Sequence, residues 1–131
     1  MRILPDTSIW IDFFSGREPV AGSLEVLLRD AQLTTCGPVL AELLAGTPPR
    51  RQEALWLAVG SLPFVDLDQS AWREAGELCR GLRDRGRTVP LVDVLIAVAS
   101  VRADAAVWTR YQDLARVQTV LPGLRLHQAS N

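Results

Sequence analysis

Short apolar runs alternate along the chain with longer stretches in which apolar residues recur at helical spacing. The short runs predict strands at residues 3–4, 32–35, 64–65, 105–108 and 124–126. The longer stretches predict helices at residues 9–14, 20–29, 39–44, 51–59, 68–83, 91–101 and 113–117. Strands that alternate with helices are typical of a layered α/β domain with a mostly parallel sheet.

Length and composition narrow the class of protein. The 131 residues fit one domain over residues 1–131, because folding units cluster at about 100–150 residues. A hydrophobic fraction of 48% and a charged fraction of 22% are ordinary for a globular core and exclude a disordered chain. The longest apolar run, residues 91–101, is interrupted by Asp93 and is too short to cross a bilayer. We therefore expect no membrane-spanning segment.

The N-terminal residues and the cysteines favour a cytoplasmic protein. Pro5 and Asp6 come before any long apolar stretch, so we expect no signal peptide. Cys36 and Cys79 do not form a CxxC pair, and two reduced thiols are the simplest interpretation. The formal net charge of −1 excludes a strongly basic nucleic-acid-binding protein but allows a local basic surface. The arginine cluster within residues 80–87 is either a solvated helix face or a rim that grips RNA phosphates.

Four acidic residues lie at or near the carboxyl ends of the predicted strands, where ligands bind in parallel α/β sheets. Asp6 follows the first strand, Glu42 lies in the helix after the second, Asp93 opens the apolar helix, and Asp113 follows the strand at residues 105–108. Asp6 and Asp113 could equally stabilise helix N-termini. The neighbours of Glu42 are apolar and look buried on most sides. Asp93 is the most informative, because a carboxylate in this apolar segment is costly to bury unpaired.

Four carboxylates at one sheet edge would repel one another strongly, and a divalent cation relieves that repulsion. Oxygen ligands without paired histidines or thiolates favour Mg²⁺ or Mn²⁺ over Zn²⁺. Such a site suits phosphodiester hydrolysis, in which the metal activates water and neutralises developing charge.

Four short motifs occur in order along nearly the whole chain. They are Asp6-Thr7-Ser8-Ile9-Trp10-Ile11-Asp12; Thr34-Thr35 with Val39, Glu42, Leu43 and Gly46; Gly86 to Asp93 with Ile96-Ala97; and Trp108-Thr109 with Asp113-Leu114. Together these motifs resemble those of the PIN-domain ribonucleases, specifically the VapC toxins. The resemblance implies a three-layer α/β/α PIN-like domain with a short, mostly parallel central sheet.

The resemblance also implies function and partners. It makes Asp6, Glu42 and Asp93 the core metal ligands, with Asp113 as a fourth, and it gives Thr7, Ser8 or Thr109 the role of holding the attacking water or orienting a carboxylate. It implies a Mg²⁺-dependent endoribonuclease whose substrate is RNA. It further implies a VapB-like antitoxin that covers the site, and a homodimer.

One position departs from the family pattern. Where the family usually has an acid two residues after the threonine of the fourth motif, this chain has Tyr111, which leaves Asp113 as the acid of that loop. Tyr111 favours a different hypothesis, in which the domain keeps the fold but serves as a binding module with weak or no catalysis. Metal titration separates the two hypotheses.

Other features are weaker signals. The only histidine is His127, which we expect at the surface, and there is no GxSxG motif, so a serine hydrolase is excluded. Trp10, Phe13 and Phe14 are expected to contribute one side to the core and to offer any exposed side to a partner helix. Trp56 and Trp72 are expected in the core or at an interface.

Overall fold

The central sheet is assembled from short parallel strands. The computed structural model describes residues 1–128. The strands are β1 (Arg2–Pro5), β2 (Thr35–Cys36), β3 (Phe64–Val65) and β4 (Ala105–Trp108). β1 pairs with β4 in parallel, and β2 pairs with β3 in parallel. A parallel bridge between Ile3 and Leu33 joins the two pairs, and a second bridge between Val107 and Leu126 extends the edge beyond β4.

Seven helices within residues 1–128 connect and cover these strands. They are α1 (Thr7–Phe14), α2 (Val20–Arg29), α3 (Gly37–Ala45), α4 (Pro49–Val59), α5 (Gln69–Asp84), α6 (Leu91–Arg102) and α7 (Asp113–Val117). The architecture is the three-layer α/β/α arrangement with a short parallel sheet that the sequence predicts. None of the helices in residues 1–128 has the length and apolar character that crossing a membrane requires.

The predicted bounds hold for α2, β3, β4 and α7, and shift elsewhere for local reasons. The first helix begins at Thr7 rather than at residue 9, because the Asp6 carboxylate accepts hydrogen bonds from the amides of Ser8 and Ile9. The third begins at Gly37, with Pro38 in its first turn, where a missing N–H costs nothing. The predicted strand at 32–35 is displaced, since Leu33 forms only a bridge and the strand is Thr35–Cys36.

The helix α6 is the centre of the core and positions Asp93. Its residues from Val94 to Ser100 are all buried, and it packs against α5, α7 and β4. A helix that is buried on every side shows no amphipathic period, which is why its sequence is a continuous apolar run. Asp93 lies in its first turn, directly before the buried residues of the helix.

Two expectations need correction, that of a core position for Trp56 and Trp72 and that of a surface position for His127, whereas the one for the first helix is confirmed. Trp56 and Trp72 are not core residues, because 49% and 53% of their surfaces are exposed. Trp10 is buried, whereas Phe14 is half-exposed. His127 is half-buried rather than a free surface residue, because its ring packs edge-on against Trp108 with ring centres 5.2 Å apart. Burial accordingly lowers the pKa of His127.

Candidate active site

The four acids predicted from sequence line one cleft of about 420 Å³. Asp6 follows β1, Glu42 lies on α3, Asp93 on α6 and Asp113 on α7, so four separate elements contribute. The cleft lies beyond the carboxyl ends of β1 and β4, where the two parallel strands end side by side at Pro5 and Trp108. The hydroxyl residues Thr7 and Ser8 line the same cleft.

Asp6 has a structural role and a place in the cleft at once. Its backbone N–H donates to the carbonyl of Trp108 at 2.9 Å, which ties the end of β1 to the end of β4. Its carboxylate caps α1, accepting from the Ser8 amide at 2.9 Å and from the Ser8 hydroxyl. Burial raises the pKa of Asp6, although hydrogen bonds from Ser8 and Thr109 oppose the shift. The helix-cap and site interpretations of this residue are therefore compatible.

Among the four acids, Asp93 has the pKa that shows most clearly how close the carboxylates lie to one another. The side chain is half-buried at the start of α6. Burial raises the pKa of Asp93 from 3.8 to about 6, and the charges of Asp113, Asp6 and Glu42 push it in the same direction. The carboxylates are thus near enough to one another to raise the free energy of the fully ionised cleft.

Glu42 lines the cleft from the exposed side of α3. Its neighbours Leu40 and Leu43 are buried as expected, but the side chain of Glu42 itself is exposed. The reason is helical geometry, since successive residues of α3 face different directions and residue 42 falls on the face toward the cleft. The Thr7 hydroxyl donates to Glu42 Oε1 at 2.6 Å, which fixes α3 against the start of α1 at this point.

Asp113 is the first residue of α7 and also lines the cleft. Arg116 forms an ion pair with it, with the Arg116 Nη1 atom 2.6 Å from Asp113 Oδ1. A carboxylate at a helix N-terminus is favoured by the helix dipole. The structure thus shows Asp113 at a helix start and in an ion pair, and its role as a metal ligand stays a prediction.

The sequence prediction missed Asp12 and Arg110. Asp12 is only 4% exposed, and its Oδ1 atom lies 3.0 Å from Nη1 of Arg110 and 3.5 Å from Nη1 of Arg17. The backbone N–H of Arg110 donates to the Ser8 hydroxyl at 3.2 Å. These contacts hold the loop after β4 against α1. The signal was present in the sequence, because Asp12 is a carboxylate among apolar residues, as Asp93 is.

The donor set of the cleft fits a hard cation. Its charged groups are carboxylates, with Thr7 and Ser8 hydroxyls beside them, and no histidine or cysteine of residues 1–128 lines it. Within the same residues, no three acidic, histidine or cysteine side chains are close enough to hold a metal ion as they stand. Binding of Mg²⁺ or Mn²⁺ would therefore require the side chains to rotate toward a common centre, with water completing the shell.

The arginine cluster does not line this cleft. Arg80, Arg83, Arg85 and Arg87 are all exposed, and none of them is among the described residues that line the cleft. Arg80 pairs with Asp84 at 3.0 Å, one helical turn further along α5. This pairing fits a solvated helix face, which was one of the two interpretations of the cluster.

Comparison with known proteins places this geometry in a family. The model of the PIN domain family matches residues 3–120. Among curated proteins, none matches the chain by sequence. Three similar solved structures illustrate the range of relatives.

The crystal structure of VapBC2 from Rickettsia felis, bound to a DNA fragment from its promoter, is 22% identical, with a TM-score of 0.76 over 97% of this chain and 98% of that one. DNA-bound VapBC from Salmonella typhimurium is 20% identical, with a TM-score of 0.76 over 97% of each chain. VapC20 from Mycobacterium tuberculosis, a toxin that cleaves the sarcin–ricin loop, is 16% identical, with a TM-score of 0.63 over 86% of this chain and 92% of that one. The family model and the shared fold lead to one conclusion: this chain belongs to the PIN domain family.

Proposed function

We propose that the protein is a Mg²⁺-dependent endoribonuclease that hydrolyses RNA phosphodiesters and acts as the toxin of a VapBC-type pair. The observation that carries the proposal is the single cleft lined by Asp6, Glu42, Asp93 and Asp113 in a PIN domain. Carboxylates crowded in this way need a cation, and a cation among carboxylates is the usual apparatus for hydrolysing phosphodiesters.

In this proposal the four acids hold Mg²⁺, or Mn²⁺, and the hydroxyl residues set the positions of the acids. The Thr7 hydroxyl fixes one oxygen of Glu42, and Ser8 fixes one oxygen of Asp6. When bound, the cation would lower the pKa of a water molecule and neutralise charge on the phosphate. Asp93, with a pKa of about 6, is mostly ionised at neutral pH and so available as a ligand.

A protein partner is part of the proposal. The solved relatives include VapBC toxin–antitoxin complexes, and a VapB-like antitoxin is the partner we propose here. Beside the cleft, α1 and α3 border a second hollow of about 190 Å³ that shares Thr7, Ile11 and Glu42 with it. Ile11 and Phe14 are 45% and 50% exposed there, an apolar surface suited to an antitoxin segment.

We also propose a homodimer and a cytoplasmic setting. Phe64 and Trp72 are exposed aromatic residues that border one hollow with Leu95, and they supply an apolar surface for a second copy. This hollow adjoins the acidic cleft, because Glu42 and Val92 line both. Cys36 and Cys79 are free thiols, which fits a reducing compartment.

A catalytically weak or inactive PIN-fold binding module is the alternative. Tyr111 favours it, because a neutral phenol lines the cleft where the family usually has an acid, and a phenol is a poor ligand for Mg²⁺ beside carboxylates. The two functions differ in whether RNA is cut.

The test is cleavage of total RNA by the purified chain, with Mg²⁺ and with a chelator. We expect fragments with Mg²⁺ only, and none from Asp93→Asn. Asp68→Asn, a carboxylate change on the exposed surface, is the matched control and should cut as the wild type does. RNA left intact by the wild type in Mg²⁺ and in Mn²⁺ would contradict the nuclease and favour the binding module.

A further inference from the structure

Tyr111 is a large exposed aromatic side chain at the edge of an otherwise acidic cleft. Its surface is 56% exposed, although it lines the same cleft as Asp93 and Asp113. It lies in the loop between β4 and α7, two residues before Asp113. An exposed aromatic ring beside a catalytic cleft is a common mark of a binding surface for a flat ligand.

The loop that carries Tyr111 is held in place by several contacts. The backbone N–H of Tyr111 donates to the Thr109 hydroxyl at 3.0 Å, and that of Arg110 donates to the Ser8 hydroxyl at 3.2 Å. The Arg110 guanidinium lies 5.6 Å from the centre of the Tyr111 ring. The same guanidinium pairs at 3.0 Å with Asp12, a buried residue of α1.

The buried acid therefore orients the ring through the arginine. Asp12 cannot move far in the core, Arg110 is fixed by Asp12, and the ring packs against Arg110. A ring oriented in advance loses less conformational entropy when a ligand stacks on it. The Tyr111 ring therefore presents a flat, uncharged face next to the acids before any ligand binds.

We propose that Tyr111 is a stacking platform for one nucleobase of a single-stranded RNA, next to the phosphate that is cut. The inference rests on the proposed function and adds a residue that determines how the substrate binds. A base is the part of RNA that this position suits, because it is flat and uncharged and stacks on an aromatic ring, whereas the Tyr111 ring has no positive charge to bind a phosphate. A single strand is required, because bases within a duplex are already stacked on one another.

The experiment measures RNA binding in the Asp93→Asn background with Mg²⁺ present, where we expect no cutting. One probe is a fluorescein-labelled oligoadenylate, and the second is an oligomer of the same length that has the ribose-phosphate backbone without bases. Tyr111→Leu should weaken binding of oligoadenylate about 5- to 150-fold, the range for stacking one base on an aromatic ring. Tyr111→Phe should bind as the parent does, since it keeps the ring.

Two controls separate stacking from other effects. The backbone probe should bind equally to the parent, Tyr111→Leu and Tyr111→Phe, because it has nothing to stack. Trp56→Ala removes an aromatic that is 49% exposed on α4 and lines none of the described clefts, and it should leave binding of both probes unchanged.

Equal binding of oligoadenylate by Tyr111→Leu and the parent would overturn the platform and would leave the nuclease proposal intact if the wild type cuts RNA. The ring would then serve another occupant, such as a protein segment. Equal losses for both probes would also overturn it, since that pattern indicates a disturbed loop rather than lost stacking. A parent that binds neither probe, together with a wild type that cuts no RNA, would overturn both proposals.

Discussion

Asp6 and Asp68 share a local design and differ in almost everything around it. Each begins an Asp-x-Ser sequence and caps the helix that follows, α1 and α5 respectively. Their backbones are nearly identical, with φ −80° and ψ −179° for Asp6 and φ −80° and ψ 178° for Asp68. In both, the serine hydroxyl two residues later donates to the carboxylate.

The surroundings of the two carboxylates are opposite. Asp6 is 4% exposed, faces three other acids across the cleft, and burial raises its pKa. The side chain of Asp68 is 71% exposed and lies 3.2 Å from Arg102, and hydrogen bonds from Ser70 and Ala71 lower its pKa. The same Asp-x-Ser motif thus places one acid in the cleft, where its pKa is raised, and another at the surface, where its pKa is lowered. The difference arises from what the fold brings near each of them.

Neutralising each capping acid should give the largest difference between Asp6 and Asp68, measured as the rate of RNA cleavage. Asparagine caps helices about as well as aspartate, so Asp6→Asn and Asp68→Asn both preserve a helix N-terminus. We expect Asp6→Asn to reduce the rate of RNA cleavage at least about 100-fold, since even residues behind metal ligands cost about 10- to 100-fold. Asp68→Asn should cut at the wild-type rate. Equal effects of the two substitutions on the cleavage rate would show that Asp6 is only a cap.

Asp113→Ala tests whether the acid at the start of α7 is a metal ligand, as proposed for Asp6, or only a charge at a helix terminus, as Asp68 is. As a ligand, its loss should lower the cleavage rate about 10- to 100-fold at low Mg²⁺, with recovery at high Mg²⁺. As a helix-terminal charge, its loss should cost only about 0.3–1 kcal/mol of stability and leave the Mg²⁺ dependence unchanged. Arg116→Ala is the control, because it removes the ion-pair partner and keeps the acid. We expect the displaced Mg²⁺ curve for Asp113→Ala alone.

Asp93→Asn should stabilise the metal-free protein at neutral pH. An acid whose pKa is higher when folded binds more protons in the folded state, so stability falls as the pH rises from about 4 to about 6. A shift of this size corresponds to at most about 3 kcal/mol, and partial exposure of Asp93 reduces the expected gain to about 1 kcal/mol. Thermal unfolding in chelator should show the variant above wild type at about pH 7.5, with a narrower gap at about pH 4.5. A variant less stable than wild type at both pH values would make Asp93 a structural residue.

The smallest expected effect is that of Asp68→Asn on stability, and its sign is opposite to that of Asp93→Asn. The lowered pKa of Asp68 stabilises the folded protein at neutral pH, and that contribution is lost as the pH falls through the folded-state pKa. Asp68→Asn should therefore unfold slightly below wild type at neutral pH and match it in acid. Comparing its melting temperatures with those of Asp93→Asn under the same conditions checks the contrast directly. A stabilised Asp68→Asn would contradict it.

Much of the fold and of the candidate site was predictable from the sequence. Alternating apolar runs predicted the strands and helices, and for α2, β3, β4 and α7 they predicted the bounds as well. The acids at the strand ends predicted one shared cleft, since parallel strands end at the same edge. Their roles as metal ligands stay a prediction.

What the sequence could not provide was pairing over long distances. Asp12 and Arg110 are 98 positions apart, and the ion pair between this buried acid and the more exposed arginine exists only because β4 returns beside β1. The exposure of Glu42 could not be predicted for a related reason, because the run of apolar neighbours does not reveal which side of α3 the sheet covers. Asp6 and Asp68 cannot be told apart from their Asp-x-Ser pattern alone.

The most direct test of the cation site is the change in melting temperature on adding Mg²⁺ to the wild type, Asp93→Asn and Asp68→Asn. A ligand at about 100 times its dissociation constant stabilises the folded state by about 2.7 kcal/mol, which is several degrees for a domain of this size. We predict that shift for the wild type and for Asp68→Asn, and a much smaller one for Asp93→Asn. A wild type that does not respond to Mg²⁺ or Mn²⁺, or an Asp93→Asn that responds as fully as the wild type, would contradict the account.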